Sequence, residues 1–276
     1  MTTSVNRENL FRPCVFLLQR SAEEPKNPKI CKPCSRCNAR ENTIYICTRK
    51  RKTTTKTHCT MNIYNVIILD ESGSMSSIYK ETIQSMNEVL NGIRKDQEEH
   101  PDQHHYVTIV TFEGQGIEGI KMRRDRVPIE SVKDFTTKDY RPGGCTPLHD
   151  AMGKTLNEME GLVREDDRVM ATVITDGMEN SSTEYSGRTV KTLVDRMRSK
   201  GWVLAYIGAN QDAVEVAREL HIPNALNYDA TPTGTAFLAC SIVKAHRKAS
   251  KMFDLPMSAK EMGCMDTLFD EDEKKN

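Results

Sequence analysis

The chain has 276 residues, 37% apolar and 28% charged, with 39 basic side chains matching 39 acidic ones. That is enough apolar material for one sizeable core, and no apolar run approaches the ~20 residues a membrane-spanning helix needs. The zero net charge hides a division: residues 1–60 hold 13 basic and 4 acidic side chains, a net of +9, while residues 61–276 hold 26 and 35, a net of −9. Six of the nine cysteines also fall before residue 60, so two segments of different character are expected.

Residues 1–60 contain Pro13, Pro25, Pro28 and Pro33, the basic run Arg49-Lys50-Arg51-Lys52 and the stretch Thr53-Thr54-Thr55, with no sustained hydrophobic period. Such a composition cannot readily bury a core. It reads as an irregular, Cys-rich basic extension, disordered or lying upstream of a translation start at Met61. The patch Val15-Phe16-Leu17-Leu18 is shorter than the ~7–15-residue core of a secretory signal and has no small-residue cleavage site behind it. This points to the cytoplasm, where cysteines stay as thiols or metal ligands. Cys31-x2-Cys34-x2-Cys37, followed by Cys47 and by His58-Cys59, has the chemistry for Zn²⁺, although the second pair lacks finger or ribbon spacing. Combined with the basic run, it would make a zinc-bound nucleic-acid contact, but no aromatic stacking platform accompanies it.

From residue 62 the pattern becomes regular. Ile63 to Leu69 is a compact β-branched run, the pattern of a strand buried on both faces. Tyr79, Ile83, Met86, Leu90 and Ile93 then recur at 4, 3, 4, 3, one face of a helix. Tyr106–Phe112 and residues 120–129 read as strands. Pro147 opens a helix at its first turn, with Leu148, Met152, Leu156, Met159 and Val163 as its buried stripe. A strand at Val169–Thr175, a helix at 187–199, a strand at Trp202–Ile207, a helix at 211–220, a weak strand at 224–228 and a helix at 234–249 complete the series. Strands alternating with helices predict an α/β fold: a doubly wound, mostly parallel sheet with helices on both faces, spanning 61–255. Residues 256–276, ending in Asp270-Glu271-Asp272-Glu273, read as a solvated acidic tail.

In such sheets ligands bind beyond the carboxyl ends of the strands, where strand order reverses. The first strand ends Asp70-Glu71-Ser72-Gly73-Ser74, the loop before the Pro147 helix reads Gly143-Gly144-Cys145-Thr146, and the strand at 169–175 ends Thr175-Asp176-Gly177. Three loops therefore offer two carboxylates and three hydroxyls. All five donors are oxygens, which suit a hard cation such as Mg²⁺ or Mn²⁺. With only two of them charged, the ion would keep affinity for a further carboxylate. Ser, Thr and Asp after strands are also ordinary helix caps, the competing reading for each loop alone.

These pieces, in this order, resemble the von Willebrand factor A domain, and more narrowly its stand-alone intracellular bacterial members. The resemblance covers roughly residues 62–250 and implies a Rossmann-like fold. It also implies a metal ion-dependent adhesion site at Asp70, Ser72, Ser74, Thr146 and Asp176, in which Ser72, Ser74 and, in some members, Thr146 bind the ion directly and the aspartates bind it directly or through water. The implied role is binding a protein that presents Glu or Asp, in assemblies with ATPases, chelatases, kinases or stress-response proteins. Cys145 stands where the family more often has Gly, Ser or Thr.

The sequence carries three other signals. Gly114-x-Gly116-x2-Gly119 spells a dinucleotide fingerprint, but the alternating stretch and Pro128 that follow indicate a hairpin rather than the helix this fingerprint requires. A Mg²⁺-dependent phosphohydrolase using Asp70 is the enzymatic alternative. It lacks a second aspartate at position 72 and an evident phosphate-binding lysine, and its nearest base candidate, His149, reads equally as a packing or capping residue of the following helix. The expectation is therefore no catalysis. Glu71 and the loop Met178-Glu179-Asn180-Ser181-Ser182 read equally as partner-selecting or as solvated turn residues, and Asp150 as a supporting hydrogen bonder or a helix-start charge.

Overall fold

The computed structural model describes residues 60–209 and 213–270. The cysteines at 31, 34, 37, 47 and 59, with the zinc and nucleic-acid readings that depend on them, lie outside the described residues. In chain order the elements are β1 (Met61–Asp70), α1 (Tyr79–Glu99), β2 (Gln103–Phe112), β3 (Ile120–Pro128), α2 (Leu148–Glu160), β4 (Arg168–Thr175), α3 (Gly187–Ser199), β5 (Val203–Ala209), α4 (Ala213–Glu219), β6 (Asn224–Tyr228), α5 (Pro232–Phe253) and α6 (Ala259–Gly263).

Six strands form one sheet in the order β3-β2-β1-β4-β5-β6. All neighbours are parallel except the hairpin pair β2–β3. The glycines at 114 and 116 occupy this hairpin with positive φ, and β3 rather than a helix follows them. The doubly wound α/β expectation therefore stands, and order reverses between β1 and β4.

Strand alternation divides the core into two layers. Ile63, Ile67 and Leu69 of β1 point to the side covered by Met86, Leu90 and Ile93 of α1 and Leu238, Ile242 and Ala249 of α5. Val66 and Ile68 point to the other side, against Leu148, Met152 and Leu156 of α2 and Val190, Val194 and Met197 of α3. Residues 256–270 also pack rather than trailing away. Ser258 and Glu261 form a reciprocal capping box, and Met262, Leu268 and Phe269 are buried in the first layer. Among the described residues no helix is long and apolar enough to cross a membrane.

A polar chain runs through that same layer. Gln103 Nε2 donates to the Ser250 carbonyl at 2.9 Å and to Asp254 Oδ1 at 2.8 Å, so its Oε1, 3.2 Å from His105 Nε2, must accept. His105 Nδ1 then accepts from Asn65 Nδ2 at 3.3 Å, and Asn65 Oδ1 accepts from His246 Nδ1 at 3.0 Å. This directional chain requires a neutral His105, whereas His246 enters it only as a donor from Nδ1, its Nε2 being buried without a partner. Burial, with the charges of His100 and His104 adding, lowers His105 to about 4; burial, with His105 adding, lowers His246 to about 3.

Below the unfolded value of about 6.5 the unfolded chain binds protons that the folded chain refuses. Stability from these histidines is therefore complete above that pH and falls on acidification, by about 1.4 kcal/mol per pH unit for each. Asp70, raised to about 6, acts with opposite sign in the metal-free protein. Urea titrations of wild type and His246→Gln between pH 7 and 4 isolate the histidine contribution. The variant should lose about one proton of pH dependence, and identical slopes would contradict the assignment.

Candidate metal centre

The centre sits where the chain leaves β1, enters α2 and leaves β4. The Asp70 carboxyl is fully buried. Its Oδ1 accepts the Ser72 backbone N–H at 2.7 Å and its Oδ2 accepts the Thr175 hydroxyl at 2.5 Å. Burial pushes the group up to about 6 against the pull of these hydrogen bonds, and the Asp176 charge adds to the rise. Ser72 Oγ lies 3.1 Å from Ser74 Oγ, and Ser74 Oγ donates to Asp176 Oδ1 at 2.5 Å. Burial raises Asp176 as well, and its Oδ2 is buried with no hydrogen-bond partner.

Thr146 joins the cluster from the α2 side. A Cβ placed on Gly177 would lie 3.0 Å from Thr146 Oγ1 and 3.6 Å from both Asp70 Oδ2 and Ser74 Oγ. The space beside Gly177, on the loop after β4, is thus a cradle bounded by oxygens from the other two loops. Two carboxylates raised by burial, three hydroxyls and an orphaned carboxylate oxygen are what a hard cation would satisfy. The five residues named from the sequence come together here, and the donor set fits a divalent ion.

The surrounding loops are cross-braced. Gly73 N–H donates to the Gly144 carbonyl at 3.1 Å and Gly114 N–H to the Cys145 carbonyl at 3.0 Å. Gly144 has φ +67°, and a side chain there would meet Gly114 N at 2.8 Å, so the approach requires glycine. Tyr140 donates its hydroxyl to the Asp70 carbonyl at 2.7 Å. Thr146 N–H donates to Asn180 Oδ1 at 2.8 Å, and Asn180 N–H returns to the Thr146 carbonyl at 3.2 Å. Asn180 therefore fixes the backbone that carries the Thr146 hydroxyl.

Several neighbours have roles that sequence reading left open or missed. Glu71 is not a solvated turn residue. It is fully buried, and Arg123 Nη2 reaches its two carboxylate oxygens at 2.9 and 2.7 Å. Glu179 accepts from the backbone N–H groups of His149, Ser181 and Ser182. Asp150, also buried, accepts from those of Thr183, Glu184 and Tyr185. Both tie the loop after β4 to the start of α2. Met178 alone of that loop stands out as a large exposed apolar side chain, 71% accessible. Thr175 and Tyr140 were not singled out from the sequence; the hydroxyl of Thr175, directly before Asp176 at a strand end, was the signal available.

No curated protein matches the chain. Among solved structures it is similar to proximal thread matrix protein 1 of the mussel byssus, at 16% identity over 67% of this chain and 48% of that one, with a TM-score of 0.46. It is also similar to the PilB minor pilin of Streptococcus sanguinis, at 10% identity over 71% and 64%, TM-score 0.50, and to the manganese-loaded TRAP protein of Plasmodium vivax, at 14% over 68% and 73%, TM-score 0.44. The chain spans about half the length of the first of these. The family model for the von Willebrand factor type A domain matches residues 66–237, a stretch that runs from within β1 into α5 and contains all three loops of the centre. The chain belongs to the von Willebrand factor type A domain family.

Proposed function

We propose that Asp70, Ser72, Ser74, Thr146 and Asp176 hold Mg²⁺ or Mn²⁺ as an intact metal ion-dependent adhesion site, and that the protein binds a partner through a Glu or Asp carboxylate. The observation that carries this reading is the buried, partnerless Asp176 Oδ2 beside the oxygen-lined cradle at Gly177. When bound, the cation supplies a Lewis-acidic point that prefers anionic oxygen. The protein's part is to hold two carboxylates and three neutral hydroxyls, five donors for an ion that takes six oxygens.

The role is recognition rather than turnover. Ser72 stands where a phosphohydrolase would carry its second aspartate, so Asp70 has no acid/base partner there. His149 lies with Nδ1 3.7 Å from Glu179 Oε2, and its backbone N–H donates to the same oxygen, so it belongs to the loop brace. The described cysteines, Cys145, Cys240 and Cys264, are exposed free thiols, the state a reducing cytosol maintains. This supports an intracellular setting.

The test is capture of partners from cell extract on the immobilised full chain, wild type beside Asp70→Ala/Ser72→Ala, with Mg²⁺ or EDTA. A protein retained only by wild type with Mg²⁺ is the expected result. Equal recovery in all four conditions would remove the metal from the binding account.

A further inference from the structure

Beside the metal loops lies an open depression of about 410 Å³ lined by Ser76, Tyr79, Thr137, Tyr140, Arg141 and Pro142. Its inner wall is continuous with the centre. Tyr140 is the residue that donates to the Asp70 carbonyl, Ser76 follows Ser74 by two positions, and Arg141 N–H donates to the buried Glu71 carboxylate. The lining contains one cation and no carboxylate, although residues 61–276 carry a net of −9. Arg141 is exposed. Its Nε makes a long 3.4 Å contact to the Thr137 carbonyl, and the side chain has no ion-pair partner among the described residues. The nearby carboxylate of Asp139 is already held by Arg124 at 2.8 Å and by Thr136.

The geometry points to Arg141 as a specificity-determining residue that reads a second acidic side chain on the partner. The partner segment would place one carboxylate at the metal and another in this depression, against the Arg141 guanidinium. This inference rests on the metal-dependent reading above and names its partner's chemistry: a protein segment with two acidic residues a few positions apart. A planar guanidinium suits a carboxylate through two parallel hydrogen bonds. At an exposed rim such a pair sets selectivity and salt dependence more than total affinity.

The experiment uses the full chain with Mn²⁺ and fluorescein-labelled Gly/Ser peptides carrying one Glu, or two Glu separated by two or three residues, read by anisotropy. Wild type should prefer a two-acid peptide by about three- to five-fold, the scale of an exposed ion pair, and salt should reduce the preference. Arg141→Gln should abolish the preference while Mn²⁺ affinity, measured separately by water-proton relaxation, stays unchanged. Arg141→Glu should shift the preference to a peptide with Lys in place of the second Glu. A preference that persists in Arg141→Gln would overturn the assignment. Peptide binding that survives EDTA but still depends on Arg141 would overturn the metal reading and keep the groove. No binding of any peptide would overturn both.

Discussion

Replacing Arg123 with methionine is expected to destabilise the domain by about 3 kcal/mol or more, the cost of leaving one partner of a buried ion pair without the other. Glu71 is 0% exposed and Arg123 a fifth exposed, so Glu71 would lose its countercharge while remaining enclosed. The Arg141 N–H and the backbone bonds of Glu71 to Phe112 and Gly143 would persist, pinning the carboxylate in place rather than letting it turn to solvent. Arg123 would also abandon Thr111, to whose hydroxyl its Nε donates at 2.8 Å. Urea unfolding followed by the single tryptophan, the buried Trp202, measures the loss. Arg123→Met/Glu71→Gln should recover most of it, because no charge is then buried unpaired. A loss below about 1 kcal/mol in the single variant would place the pair among ordinary surface bridges.

Gly177→Ala should weaken divalent-metal binding by about 10- to 100-fold, the range seen when the surroundings of a metal's ligands are disturbed, with little change in folding. The added methyl would enter the cradle 3.0 Å from Thr146 Oγ1, and Mg²⁺ tolerates little departure from its octahedral shell. Gly177 has no left-handed φ and its other neighbours stand at 3.6 Å, so alanine fits the backbone. Mn²⁺ relaxation titration beside thermal unfolding separates the two effects. Unchanged affinity would mean that the ion sits elsewhere than among these oxygens.

The sheet was legible because its strands are buried on both faces and read as unbroken apolar runs, as Ile63–Leu69 and Val169–Thr175 do. The candidate metal residues stand out in the sequence because a bent loop at a strand end keeps its oxygen donors close along the chain, as with Asp70, Ser72 and Ser74. What escaped was set by distance along the chain. The Glu71–Arg123 pair joins residues 52 apart, and no local pattern announces it. Asp150 reads in sequence equally as a supporting hydrogen bonder or a helix-start charge, and its partners, the amides 33 to 35 positions on, are beyond any local pattern. The packing of residues 256–270 was masked by their acidic company, although Ser258-x-x-Glu261 carried a capping-box signature. Asn180 reads equally as a partner-selecting or a turn residue, because a side chain that accepts a backbone N–H from another loop has the same composition as one facing water.

The most direct test of the central claim is titration of the full-length chain with Mn²⁺, wild type beside Ser72→Ala/Ser74→Ala, followed by water-proton relaxation. The account predicts one saturable site in wild type, lost in the variant while its thermal unfolding is retained, and displacement of Mn²⁺ by excess Mg²⁺. Equal saturable binding by both proteins, or none by either, would contradict it.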